Sequence, residues 1–101
     1  MAKIKFEYET EQASAETFNK IKDLIDNNKD LQQLDKNYTA TYDEQNLSAN
    51  AKGKQFEANL QVKEQGEGSV IHFEIKVGLM LSAFKGVIEE KMKKKLGKLL
   101  A

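Results

Sequence analysis

The stretch VIHFEIKVGLMLSAFKGVIEEKMKKKLGKLLA, residues 70–101, decides the fold, because its hydrophobic period changes at Gly78. Before this glycine, apolar and polar residues alternate, which is typical of a strand with one buried face. The residues expected to point inward are Ile71, Phe73, Ile75, Val77 and Leu79. After the glycine, apolar residues recur at steps of three and four, which indicates an amphipathic helix. The residues predicted to lie on the sheet are Leu81, Phe84, Ile88, Met92, Leu96 and Leu99.

The remaining chain predicts four more strands and one more helix. Residues 3–9 alternate with an apolar side, and a helix is expected from Ser14, a favoured N-cap residue, to Asn27-Asn28. Leu31 and Leu34 are predicted to form one further turn. The inward positions of the middle strands are Tyr38, Ala40, Tyr42, then Leu47, Ala49, Ala51, and then Phe56, Ala58, Leu60, Val62.

These elements predict one α+β domain over residues 1–101. Every outward strand face is polar, so the sheet should be solvated on one side and carry both helices on the other. We therefore expect a two-layer sandwich, with a curved antiparallel sheet in the order strand, helix, four strands, long C-terminal helix. Such an arrangement is helix-grip-like.

Composition excludes several classes of protein. The chain has no Cys and no Arg, and its 16 Lys balance 16 Asp and Glu. Disulfide and thiolate chemistry are excluded, and the lack of Arg disfavours binding to nucleic acid. No apolar run approaches the roughly 18 residues that a membrane span needs. The charged N-terminus does not resemble a signal peptide, so a cytoplasmic location is expected.

No set of residues predicts catalysis, a metal site or a cofactor. His72 is the single histidine and is expected on the solvated strand face. Ser82 and Lys85 match S-x-x-K, but the companion motifs of serine acylases are missing. The adjacent pairs Asp43-Glu44 and Glu89-Glu90 should diverge rather than share a proton. The sequence therefore favours a non-enzymatic protein.

Lysines at helical spacing form one candidate contact surface: Lys91, Lys94, Lys95 and Lys98. They are interpreted as a solvated helix flank, as an interfacial anchor that meets an anionic or amphiphilic surface, or as a contact for a protein partner.

A second candidate site is the space between sheet and C-terminal helix. Its predicted lining is Tyr38, Ala40, Ala49, Ala58, Phe73, Phe84 and Ile88. The small residues either let the helix approach closely or leave a shallow apolar pocket for an acyl or other apolar ligand.

The segment from Ala51 to Ala101 resembles the polyhydroxyalkanoic acid system family, small bacterial proteins encoded near genes for polyester granule synthesis. The resemblance is carried by the Gly53 turn, the strand ending at Val62, and residues 77–81, 84–89 and 96–100. It implies a setting at or near the granule, with a granule surface or granule proteins as partners. It implies no catalytic residues, because no activity is established for the family. The oligomeric state stays open, although an edge strand, most simply the first or one beside it, could pair with its copy.

Overall fold

The computed structural model describes residues 2–27 and 38–100. In these residues the chain forms β1 (Ala2–Thr10), α1 (Ser14–Asn27), β2 (Thr39–Asp43), β3 (Ser48–Lys52), β4 (Phe56–Gln65), β5 (Gly68–Val77), α2 (Leu79–Ser82) and α3 (Lys85–Leu99). The turn predicted around Leu31 and Leu34 lies outside the described residues.

The strands form one five-stranded antiparallel sheet in the order β1-β5-β4-β3-β2. Phe73 on β5 lies opposite Phe6 on one side and Leu60 on the other, and Leu60 lies opposite Ala49. Because cross-strand partners point to the same face, this register aligns the predicted inward residues in rows. The α+β class and the antiparallel sheet predicted from the sequence are confirmed.

Both helices pack on the inward face of the sheet. Helix α1 contacts β2 to β5, whereas α3 contacts β1. The core cluster contains Phe18, Ile21 and Ile25 from α1, and Leu96 and Leu100 from the end of α3. Burying a side chain of this size stabilises the fold by about 1.5–3 kcal/mol. The prediction that both helices share one face is therefore confirmed.

The long C-terminal helix is interrupted, which the sequence pattern did not predict. The Ser82 hydroxyl donates to the Leu79 carbonyl over 2.8 Å, a local bond that competes with helix continuation. Ala83 and Phe84 form a turn, and α3 begins at Lys85. Leu79 is 86% exposed and Phe84 is 55% exposed. The predictions that Leu79 points inward and that Phe84 lies on the sheet are therefore wrong.

The rest of the predicted helical stripe does face the core. Leu96 is fully buried, while Ile88, Met92 and Leu99 are partly buried against the core. The side chain of Leu81 lies outside the part of the chain that the structure describes.

The C-terminal end of α3 is also held by polar contacts. The Gln12 side-chain amide donates to the Leu100 carbonyl over 3.1 Å. The Gln12 carbonyl in turn accepts a hydrogen bond of 2.8 Å from the Ser69 hydroxyl, which lies 3.0 Å from the Thr17 hydroxyl. Ser69 and Thr17 are both almost fully buried. This network joins the β1–α1 loop, β5 and α1 to the last turn of α3.

Two glycines occupy opposite environments and yield the first prediction. A Cβ at Gly68 would lie 2.2 Å from the Thr10 carbonyl oxygen, whereas a Cβ at Gly86 in α3 would meet no atom within 4 Å. Gly68→Ala should therefore lower the free energy of unfolding by about 1–3 kcal/mol, because rigid backbone must move. Gly86→Ala should raise it by about 0.4–1 kcal/mol, because the unfolded chain loses conformational freedom. Urea denaturation of both variants measures these effects. Equal destabilisation by the two would contradict the packing of α3 and β5.

Candidate functional site

An apolar surface stands at the N-terminal end of the C-terminal helical region. We call Leu79, Phe84 and Val87 the apolar tip, because they are the large hydrophobic side chains most exposed in the described residues, with Val87 at 50%. The interruption after Ser82 produces this exposure, since it turns Phe84 away from the stripe that faces the sheet. These side chains are a candidate contact surface, since contiguous exposed apolar patches occur at interaction sites.

Lysines continue from the apolar tip along the same side of α3. Val87, Lys91, Lys94 and Lys98 follow one another at steps of four, three and four residues, which places them on one helical stripe. All four are exposed. We call Lys91, Lys94 and Lys98 the lysine stripe. Lys95, predicted with them, is largely buried rather than exposed and makes a contact of its own.

The opposite side of α3 uses its lysine differently. The Lys93 ammonium lies 5.3 Å from the centre of the Phe6 ring and 3.5 Å from the Glu89 carboxylate. Its stem therefore covers the core edge near β1, while the lysine stripe stays in solvent. Val87 was missed in the sequence analysis, although its position four residues before Lys91 could have revealed it.

The residues predicted to line an apolar pocket are only partly brought together. Ala49 and Phe73 are buried in the core cluster, and Tyr38, Ala40, Ala58 and Ile88 pack against it. Phe84 does not join them, because it belongs to the apolar tip. Phe73 stacks on Phe6 with ring centres 4.8 Å apart, and Ala49 lies opposite Leu60. Six of the seven residues thus border one apolar layer between sheet and helices.

A group of polar contacts fastens α1 to the β2–β3 hairpin. The Tyr42 hydroxyl donates to the Asp26 carboxylate over 2.6 Å, and the Tyr38 hydroxyl donates to the Ile25 carbonyl. Lys22 pairs with Glu44 and lies 5.8 Å from the centre of the Tyr42 ring. Burial, followed by the bond to Asp26, raises the pKa of Tyr42 above its ordinary value.

The outer face of the sheet carries an open groove of about 800 Å³. Two cross-strand rows of outward side chains line it: Lys5, Glu74, Asn59, Asn50 and Thr41, and beside them Glu7, His72, Gln61, Ser48 and Asp43. His72 lies on this face as predicted, with its Nδ1 atom 3.2 Å from a Glu7 carboxylate oxygen. The groove contains hydrogen-bond donors and acceptors. They are spread along the strands and do not converge on one point.

Residues 2–27 and 38–100 contain no candidate metal cluster and no candidate membrane span. No group of three or more His, Cys, Asp or Glu side chains there is arranged to hold a metal ion. None of the helices in these residues has the length and apolar character that crossing a membrane requires.

The fold defines a class of protein, the small α+β domains in which an antiparallel sheet carries an N-terminal and a C-terminal helix on one face. Solved structures with this fold include the following two. One is TTHA0849 from Thermus thermophilus, with a TM-score of 0.59, 12% identity, and coverage of 98% of this chain and 92% of that one. The other is Ara h 8.0201, with a TM-score of 0.54, 9% identity, and coverage of 98% and 97%. At these identities the likeness concerns the fold alone.

A family model matches residues 4–100, and its description is "Putative polyhydroxyalkanoic acid system protein". Since the match spans nearly the whole chain, the protein belongs to this family, which confirms the resemblance found in the sequence. A comparison with curated proteins finds no match.

The contact between Tyr42 and Asp26 predicts how stability depends on alkaline pH. Because the folded-state pKa of Tyr42 is raised above the ordinary value of 10.0, the unfolded chain loses this proton first. The contribution of Tyr42 to the free energy of unfolding is therefore fully present below about pH 10 and is lost as the pH rises further. Unfolding midpoints measured from about pH 8 to 11 should fall less steeply for Tyr42→Phe than for the wild type. Tyr8→Phe serves as the control, since the Tyr8 hydroxyl lies near Gly97 of α3, whereas Asp26 belongs to α1. Parallel profiles for wild type and Tyr42→Phe would contradict the assignment.

Proposed function

We propose that the protein is a non-enzymatic accessory of the polyhydroxyalkanoic acid system that binds the surface of the polyester granule in the cytoplasm. The contact is made by the apolar tip and the lysine stripe together. The observation that supports this most is the continuation of exposed Val87 by exposed lysines on one stripe of α3. Membership of the family supports this setting, and the exposed side chains of the tip and the stripe support this means of attachment.

The apolar tip has the chemistry that an interface with a polyester requires. Leu79, Phe84 and Val87 expose from half to most of their side-chain surface in the isolated chain. Covering Phe84 alone, about half of which is exposed, would contribute about 1 kcal/mol. The hydrophobic effect is not directional, so such a tip can bind an irregular polymer surface that offers no fixed pattern of hydrogen bonds.

The lysine stripe adds an electrostatic contribution beside the tip. Chains of a polyhydroxyalkanoic acid end in carboxylates, and amphiphiles adsorbed on a particle are often anionic. Each lysine close to an anionic surface contributes roughly 1 kcal/mol at low salt, and this contribution is screened as the ionic strength rises. Apolar side chains and lysines on one side of a helix are typical of interfacial anchors.

The contacts at the two ends of α3 fit this role. The end with Leu96 and Leu100 is buried and bonded to Gln12, whereas the end with Phe84 and Val87 is exposed. The tip can therefore enter an apolar surface without removing the buried part of the helix from the core. Binding of this kind would leave the sheet and α1 unchanged.

Substitutions at the tip and the stripe should reduce binding to granules through different forces. Phe84→Ser should lower affinity by roughly fivefold at every salt concentration, because it removes apolar area. The double variant Lys94→Glu and Lys98→Glu should lower affinity mainly at low salt. Co-sedimentation with washed polyhydroxyalkanoate granules over a salt series measures both effects.

Matched controls separate these effects from changes in overall charge or hydrophobicity. Lys52→Glu with Lys63→Glu makes the same charge change on exposed strand residues, and Val70→Ser removes a valine from the outer face of β5. Both controls should sediment like the wild type. Failure of the wild type to co-sediment at low salt, or equal loss in variants and controls, would remove the proposal.

The alternative function is a binding module for an acyl chain between sheet and α3. It is favoured by the partly buried Tyr38, Ala40, Ala58 and Ile88, which border the core layer under the helices. Titration with a medium-chain fatty acid should then shift the NMR signals of these residues and of Ala49. Shifts confined to Phe84 and Val87 would assign the acyl group to the surface tip instead, and would count against an internal pocket.

A further inference from the structure

Strand β1 is an edge of the sheet, with β5 on one side and no strand on the other within the described residues. It is nine residues long, whereas the opposite edge strand β2 has five. Its outer N–H and C=O groups can form hydrogen bonds with another strand. A long edge strand usually has charged side chains, a bulge or a covering element that controls such pairing.

The outward side chains of β1 form a self-complementary charge pattern. They read Lys3, Lys5, Glu7 and Glu9 along the strand. When two copies run antiparallel about a two-fold axis at Phe6, Lys3 lies opposite Glu9 of the other copy, and Lys5 lies opposite its Glu7. We propose that the protein forms a symmetric dimer in which β1 pairs with β1 of a second copy in this register.

The register about Phe6 is singled out by both charge and length. The midpoint of Ala2–Thr10 is Phe6, so this register pairs the whole strand. A shift of the axis to Lys5 or to Glu7 would place that charge opposite its own copy, which is destabilising. An axis placed between two residues would set an outward side chain of one copy opposite an inward side chain of the other.

Parallel pairing of the same two edges is disfavoured as well, because it turns one sheet over and sets the charged side chains of one β1 beside the apolar side chains of the other. The antiparallel dimer uses both β1 edges and is therefore closed, without further growth through β1. The opposite edge lacks such complementarity, since β2 presents Thr39, Thr41 and Asp43 on the outer face. Charge thus selects β1 and a second copy of this chain.

Contacts inside one chain leave these charges available. Lys3 and Lys5 lie 3.6 and 3.7 Å from the same residue, Glu74, and their side chains are 55% and 69% exposed. Glu7 lies against His72 and is 64% exposed. In the dimer, Lys5 would stand between Glu74 of its own chain and Glu7 of the other.

The inward side of the seam is apolar and aromatic. Phe6 would face its copy across the two-fold axis, and each Phe6 already stacks on Phe73 at 4.8 Å. Ile4 would face Tyr8 of the other copy. The two five-stranded sheets would join into one continuous sheet of ten strands, with all helices on one face because the axis is perpendicular to the sheet.

Charge reversal gives a test that separates this interface from any other. Lys5→Glu and Glu7→Lys each create two like-charge pairs in the homodimer, so each should weaken dimerisation by roughly tenfold to a hundredfold. Mixing these two variants restores every opposite-charge pair between unlike chains. Sedimentation velocity on the full chain should therefore show a dimer of about twice 11.5 kDa for the wild type. It should show weaker association for each variant, and a dimer again for the mixture.

Each remaining outcome overturns the proposal. A wild type that stays monomeric at the highest soluble concentration excludes the dimer. Variants that dimerise as tightly as the wild type place the interface elsewhere, for example at β2. A mixture that associates no better than its components excludes the antiparallel register. Circular dichroism of each variant verifies folding, and restoration in the mixture cannot arise from unfolded chains.

Discussion

The burial of Leu96 against the sheet, together with the hydrogen bond from Gln12 to the Leu100 carbonyl, fixes one end of helix α3. The other features of the C-terminal region depend on this constraint. Helix α1 covers β2 to β5, and α3 is the helix that contacts β1. With its last turn fixed, α3 closes the core along the β1 side, while its first turn carries Phe84 and Val87 in solvent.

The strands were predictable because a sheet with one solvated face imposes a period of two. Ile71, Phe73, Ile75 and Val77 are all buried as expected. The same alternation, with the turn at Gly66, also sets the register in which β4 pairs with β5. His72 was placed correctly for this reason, although its contact with Glu7 could not be derived, since it depends on which strands become neighbours.

The candidate site was less predictable, because it depends on a break in the helix after Ser82 that the spacing of apolar residues does not reveal. The apolar stripe continues through Phe84 in the sequence, but the Ser82 hydroxyl bonds to the Leu79 carbonyl and the helix stops. Leu79 and Phe84 then become exposed, so Phe84, which the sequence assigned to the pocket, joins the exposed surface instead. All three members of the lysine stripe were predicted, together with Lys95, while its continuity with Val87 required the helix to begin anew at Lys85.

The lysine stripe on α3 and the charged edge of β1 lie close together, because α3 packs against β1. Lys93 covers Phe6 from above, so the helix that displays the lysine stripe also lies on the strand with the self-complementary charges. A two-fold axis through Phe6 would place both copies of α3 on the same face of the joined sheet. Two apolar tips would then approach one granule surface together, and the second contact would form at a high effective concentration. A weak tip on a small monomer could in this way give durable attachment, because release would require both tips to leave at once.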